Sequence, residues 1–357
     1  MYIKYKGNNI TLIIPKKVTW INVRVFINEI APLDLTNFNH IVLDAREILW
    51  IEPLASLLLI SFLEKRILTR PDLIDKLQYY TIKNFNSYAA YIGFYRALSI
   101  SIGKELGEAL GNSQYIPITK IEISQLKEEA RHNHTTPTIL LEQEAYRLGN
   151  ILSSKVGQEE SGNLIGYSIF EMLRNIIEHS ESEYIWFCAQ VWPRINDLEV
   201  AIVDTGIGIK ASIESNKYYH QNLSNVEAIQ FALEPGVSKS YKKRKRNNPF
   251  LDEDPYANSG FGLYVMHNLC RELGEFKIVS TGDSLTYRGA TVKLKNCNFD
   301  GTAIGMRFRI SDLNRIPGLR AEIIKTGEEL TRSKDYVIKD ASTASKANGP
   351  ISKFFKN

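Results

Sequence analysis

The sequence predicts an α/β protein built of two folded units, and three observations carry that reading. A chain of 357 residues exceeds the usual size of one domain. Residues 1–123 alternate short apolar, strand-like runs with helix-like ones, a pattern that places helices on a sheet. Further on, an amphipathic stretch at Gly162–His179 is followed by an apolar strand ending in a carboxylate and two glycines, Asp204-Thr-Gly-Ile-Gly-Ile209. A hydrophobic content of 44% with 24% charged residues is that of an ordinary globular protein.

Several classes are set aside by the same inspection. The longest apolar stretch, Leu49–Leu63, is interrupted by Glu52 and Pro53 and is too short to cross a bilayer, so no membrane partner is expected. The first residues, Met-Tyr-Ile-Lys-Tyr-Lys-Gly, lack the apolar core of a signal peptide, which predicts a cytoplasmic location. Cys188, Cys270 and Cys297 are widely spaced and form no Cys-x-x-Cys pair, so they read as buried small hydrophobes. A net charge of +4 is too mild to argue for a nucleic-acid partner. The basic run Lys239, Lys242, Lys243, Arg244, Lys245 and Arg246 has no aromatic residue interleaved from Lys242 to Arg246 and is followed by Asp252, Glu253 and Asp254.

In order along the chain, Tyr2–Tyr5 and Ile10–Ile14 flank Gly7-Asn8-Asn9 as a hairpin. His40–Ala45 is a short apolar strand, and Pro53–Arg66 carries Leu54, Leu57, Leu58, Leu59, Phe62 and Leu63 at helical spacing. A second pair follows, with a strand at Gln78–Ile82 and a helix at Phe85–Leu98. Lys120–Lys155 is helix-prone and polar, with Thr135-Thr136-Pro137 starting a new helix. A boundary near Ser124 divides the chain into residues 1–123, 124–312 and a partly flexible extension 313–357, whose end, Pro350–Asn357, reads as a loose tail.

The segment Ile41-Val-Leu-Asp-Ala-Arg-Glu-Ile-Leu-Trp-Ile-Glu-Pro-Leu-Ala-Ser-Leu-Leu-Leu-Ile60 resembles the central strand-turn-helix of STAS domains. The resemblance implies a docking or sensing domain that meets a protein partner. In phosphorylatable STAS proteins the turn carries a serine, whereas this chain has Glu52-Pro53-Leu54-Ala55-Ser56, and Ser56 could substitute only if the turn were shifted.

Chemistry concentrates in the second unit. On the Gly162–His179 helix, Ile165, Ile169, Met172, Leu173 and Ile176 make a core-facing side, while Glu171, Asn175 and His179 share another stripe at i, i+4 and i+8. A carboxylate and an amide one turn apart can serve magnesium and water together; the alternative is a solvated polar face. His132 and His134, by contrast, read as solvated loop histidines, because too few residues separate His132 from Asn175 for a phosphoacceptor hairpin. In Asp204–Ile209 the glycines permit turns and close approach that a Cβ would block, and a buried Asp204 needs donors. Asn258-Ser-Gly-Phe-Gly-Leu263 runs into a helix whose backbone amides could cradle phosphates.

Glu-x-x-x-Asn, Asp-x-Gly-x-Gly, Ser-Gly-x-Gly-Leu and the late Gly301-Thr302, in this order over residues 138–310, resemble the motif boxes of the GHKL ATPases shared by gyrase, Hsp90, MutL and histidine kinases. The resemblance implies a two-layer α/β sandwich of the Bergerat type, ATP and Mg2+ as cofactors, and a dimer. It implies that Asn175 coordinates magnesium, that Asp204 accepts from the adenine amino group, and that Gly206, Gly208 and Ile209 shape the adenine pocket. Ser259, Gly260, Phe261, Gly262 and Leu263 are implied at the phosphates, and Thr302 beside Asp204 and adenine. Residues 210–259 correspond to the ATP lid, in which Lys239 is the candidate phosphate contact. Asn258 stands where the usual second box has its first glycine. Glu171 is similar to the general base of hydrolysing members. Anti-sigma serine kinases share that glutamate and a pattern like Asn175-Ile-Ile-Glu-His179, so hydrolysis and phosphoryl transfer both stay open, beside a non-catalytic module in which nucleotide sets the lid.

Overall fold

The computed structural model describes residues 2–153, 159–239, 241, 259–334, 337, 338, 340, 341 and 346. The basic run beyond Lys239, the acidic Asp252–Asp254, Asn258 and the tail Pro350–Asn357 lie outside the described residues.

The chain is mixed α/β. Strands β1 (Ile3–Lys6) and β2 (Asn9–Ile13) form the expected antiparallel hairpin. A short strand, β3 (Lys17–Val18), leads into α1 (Trp20–Ile30), and β4 (His40–Asp44) returns parallel to β2. After β5 (Trp50–Ile51), which pairs with β3, come α2 (Pro53–Leu63), the short α3 (Pro71–Ile74) and β6 (Leu77–Tyr79), parallel to β4. The first sheet therefore runs β1-β2-β4-β6. The helix expected over Phe85–Leu98 is two short pieces, α4 (Ser87–Tyr91) and α5 (Phe94–Ala97), because Gly93 between them adopts φ 88°, outside the helical region.

The second sheet is antiparallel throughout, in the order β10-β11-β9-β8-β7. Its edge strand β7 (Tyr115–Glu122) precedes α6 (Ile123–His132), α7 (Pro137–Ser153) and α8 (Glu159–His179). The boundary expected near Ser124 therefore falls between β7 and the rest of the sheet to which β7 belongs. The order continues with β8 (Tyr184–Trp192), β9 (Asp197–Asp204), α9 (Gly208–Glu214), α10 (Asn225–Ala232), α11 (Gly262–Leu273), and the long pair β10 (Gly274–Arg288) and β11 (Thr291–Arg309). Finally α12 (Ile316–Arg332) occupies part of the segment expected to be a flexible extension; Leu313, Ile323 and Ile324 join the same core as α8 and α11.

Strand alternation divides the second sheet's residues between two cores. From β9, Leu198, Val200 and Ile202 face the core shared with α7, α8 and α11, whereas Ala201 and Val203 face α2 and α1 of the first unit. A two-layer sandwich is thus the expectation, but the second face of this sheet is covered as well. The reason lies in α2, where every residue from Pro53 to Leu63 is buried. One face of α2 packs with the first sheet and the other meets β8, β9 and β11, so the helix is apolar all round rather than amphipathic. Glu64, just past its end, accepts from Trp186 Nε1 at 3.0 Å and pairs with Lys120 at 2.6 Å, fastening the units at their rim. Ser56 is 1% exposed within this packing, which closes the shifted-turn route to a phosphoacceptor.

The three cysteines are free and buried. Among the described residues no helix is long and apolar enough to cross a membrane. His132 and His134 lie exposed at the end of α6 and in the loop after it.

Candidate functional site

A cleft opens between the end of α8, the β9–α9 turn and the start of α11, enclosing about 820 Å³ of empty space, part of it continuous with solvent. Its walls include Asn175 and His179 from α8, Asp204 at the end of β9, Gly208 and Ile209 opening α9, Lys239, and Gly260, Gly262 and Leu263 at the start of α11, with Thr302 from β11. Segments far apart in sequence are thereby brought to one place by the central strands of the second sheet.

Asp204 is the buried end of the cleft, 2% exposed. Burial raises its carboxyl to about 7, although the backbone N–H groups of Gly206 and Thr302 donate to it and partly offset the shift. Gly206 donates to Asp204 Oδ1 at 2.8 Å, and Thr302 is the cross-strand partner of Asp204 in the β9–β11 ladder. The turn that follows is held from two sides, since Ile207 N–H donates to the Ser180 carbonyl at 2.8 Å and Ile209 N–H to Ser280 Oγ at 2.8 Å. Gly208 sits there at φ 76°, and a Cβ on it would stand 2.2 Å from Thr281 Oγ1. A side chain at that position is strained by the backbone φ and requires the Thr281 hydroxyl to shift.

Between the two ends the lining is apolar, with Met172, Ile209, Ile213, Val237 and Ile304. Flat, weakly polar rings are the natural occupants of such a slot, and a buried carboxyl at its end selects one that presents a donor. Toward solvent the wall becomes polar. Asn175 is half-buried, with its side chain on the cleft wall. Burial pushes the His179 imidazole down to about 4, so it is neutral at physiological pH. Lys239 pairs with Glu181 at 3.2 Å.

The start of α11 has the features of an anion site. The helix is twelve residues long and opens at Phe261 without a side-chain cap, so the N–H groups of its first turn are not satisfied by a side chain. Next to it the Ser259 hydroxyl is 4% exposed with no partner among the described residues. Phosphate oxygens fit such donors. Among the described residues no three His, Cys, Asp or Glu side chains converge as a metal cage, so a magnesium ion at Asn175 would take most of its ligands from phosphates and water.

Four of the sequence-derived residues fall off the cleft wall. Gly206 bonds Asp204 from behind, and Phe261 is fully buried in the core. Ser259 sits one residue behind the lining Gly260. Glu171, the candidate general base, is the fourth residue off the wall. It is fully buried and bonded to Arg174 Nη2 at 2.7 Å, with Oε2 only 2.0 Å from where a Cβ of Gly262 would be. Glu171 therefore lies directly against Gly262, which itself lines the cleft. Burial raises the Glu171 carboxyl and Arg174 opposes that shift. The i, i+3 spacing of Glu171 and Arg174 was visible in the sequence as a helix pair, but a buried arginine was not. His179, read in the sequence only as a member of the Glu171–Asn175 stripe, also lines the wall, as does Ser212, which no motif marks.

No protein-family model matches the chain, and no curated protein matches it.

Proposed function

We propose that this cleft binds ATP with magnesium in the manner of GHKL proteins, and that nucleotide sets the conformation of the segment around Lys239 to control a partner. The observation that supports it most is one cleft ended by a buried carboxyl, Asp204, and lined at its other side by the uncapped start of α11. In this reading Asp204 accepts from the adenine amino group, the apolar walls hold the ring, and Gly260–Leu263 offer backbone N–H groups to the phosphates. Asn175 and Lys239 complete the polar end. Bound with the nucleotide, magnesium supplies charge neutralisation at the phosphates. The five-stranded antiparallel sheet with α8 and α11 on one face is compatible with a Bergerat-type fold, and β2-α1-β4-α2-β6 with a STAS-like domain that meets a partner. A cytoplasmic protein acting as a dimer completes the reading, with nucleic acid left out; light scattering with and without nucleotide tests the dimer, which a monomeric mass refutes.

Two chemistries follow from Glu171. Hydrolysis, or phosphoryl transfer to a serine as in anti-sigma kinases, requires its carboxylate to leave Arg174 and pass Gly262. The position of Glu171 in the Arg174 pair favours a second reading, a nucleotide-gated binding module that turns over slowly or not at all. Purified protein incubated with Mg-ATP distinguishes them. ADP release that is lost in Glu171→Ala and in Asp204→Ala supports the enzyme; tight binding lost in Asp204→Ala with no ADP from any sample supports the module. Absence of nucleotide binding by the unaltered protein sinks both.

A further inference from the structure

We propose that Lys334, Val337 and Ile338, beyond the end of α12, act as an intramolecular strap that sets how fast the cleft exchanges its nucleotide, an inference that rests on the nucleotide reading above. The strap reaches the cleft through one peptide unit. Ile338 N–H donates to the Gly236 carbonyl at 2.9 Å, and Gly236 N–H donates to the carbonyl of Gly260 at 3.2 Å, on the cleft wall. Gly236 is at φ 78°, and a Cβ there would lie 2.1 Å from the Ile338 carbonyl oxygen, so strap and mouth segment are in backbone contact. The residues directly after Gly236, Val237, Ser238 and Lys239, all line the cleft.

Side chains reinforce the contact. Val337, 3% exposed, completes a small apolar cluster with Ile213, Tyr219, Phe231 and Val237, and so packs against the back of the mouth segment. Lys334 pairs with Glu234 at 2.5 Å. The strap is anchored in turn, because Gly327 of α12 approaches Tyr264 and Phe261 so closely that a Cβ would lie 2.7 Å and 2.9 Å from their rings. Movement of α12 or loss of the strap therefore frees Pro235–Lys239 while leaving Asp204 and its turn in place. A segment outside the cleft thus governs retention, and anything that competes for Val337 and Ile338 would act as an exchange factor.

The test uses the full chain and three variants. Ile338→Pro removes the N–H donor, Val337→Asp puts a charge into the apolar cluster, and Lys334→Ala removes the ion pair with little risk to folding. Release of a fluorescent ATP analogue is followed after a chase with excess Mg-ATP, and amide hydrogen exchange of Val237–Lys239 is measured without nucleotide. The expected result is roughly tenfold faster release and lost protection in Ile338→Pro and Val337→Asp, corresponding to one lost buried interaction, with a smaller change in Lys334→Ala. Unchanged release with unchanged protection in both stronger variants overturns the strap. If the unaltered protein binds no analogue, the nucleotide reading fails, and hydrogen exchange still decides whether the strap holds the mouth segment.

Discussion

Glu199 of β9 and Leu54 of α2 are joined by a hydrogen bond across the seam between the two units. The Leu54 N–H, in the first turn of α2, donates to Glu199 Oε1 at 3.0 Å, so a carboxylate from β9 caps a helix belonging to the other unit. Glu199 is 4% exposed; burial pushes its carboxyl up and pushes the neighbouring Lys277 ammonium down. The helix dipole and Lys277 offset part of the cost of that burial. Glu199→Ala leaves a buried N–H without an acceptor and removes one negative group near Lys277, which still pairs with Glu275, and is expected to destabilise the whole chain by about 1–3 kcal/mol. Urea denaturation checks it; an unchanged midpoint would mean that this hydrogen bond contributes nothing to joining the units.

The carboxyl of Asp204 ties function to pH. Its folded value of about 7 lies above that of an unfolded aspartate, so the folded state holds a proton that the unfolded state releases. Its contribution to stability is therefore fully present below the unfolded value and is lost as pH rises through about 7. Asp204→Asn is expected to raise the melting temperature at pH 8 but not at pH 4, while abolishing nucleotide binding. In the unaltered protein, binding should tighten between pH 6 and 8 as the carboxylate forms. Calorimetric titration at the two ends of that range measures it, and a flat profile would remove Asp204 from recognition.

Gly208→Ala adds one methyl group where Thr281 Oγ1 already stands, at a backbone φ that L-residues rarely adopt. We expect a loss of at least tenfold in nucleotide affinity with a modest stability cost, on the order of 1–2 kcal/mol. Retained affinity would show that the turn can shift without harm to the cleft.

How much of this was legible beforehand depended on whether a feature is local. The glycine turns and Asp204 could be read directly, because a turn before a helix and an apolar strand ending in a carboxylate are written in neighbouring residues. Asn175, Asp204, Gly260 and Thr302 do line one cleft. Glu171 could not be placed the same way. Its stripe position was clear, but its rotamer is chosen by Arg174 and by the space over Gly262, both tertiary facts. For α2, composition disclosed a helix, while its second apolar face became intelligible only with β8, β9 and β11 against it. The short helices α4 and α5 were merged because the left-handed Gly93 looks like any other glycine in a helical pattern.

The Glu171–Arg174 pair, with side chains 0% and 1% exposed, is expected to be asymmetric in its response to mutation. Arg174→Ala strands a buried carboxylate and should cost about 3–5 kcal/mol, whereas Arg174→Ala combined with Glu171→Ala should recover much of that loss. Chemical denaturation of the three variants closes the cycle. Additive effects would mean that the pair contributes nothing beyond its separate side chains.

Because α2 has no outward face, the amino-terminal unit is not a cassette that can be traded between proteins. Recombination that moved it to another carrier would strip the covering from β8, β9 and β11 and leave two greasy surfaces where one seam had been. The two halves share one seam, so a displacement of α2 is felt directly by β8, β9 and β11.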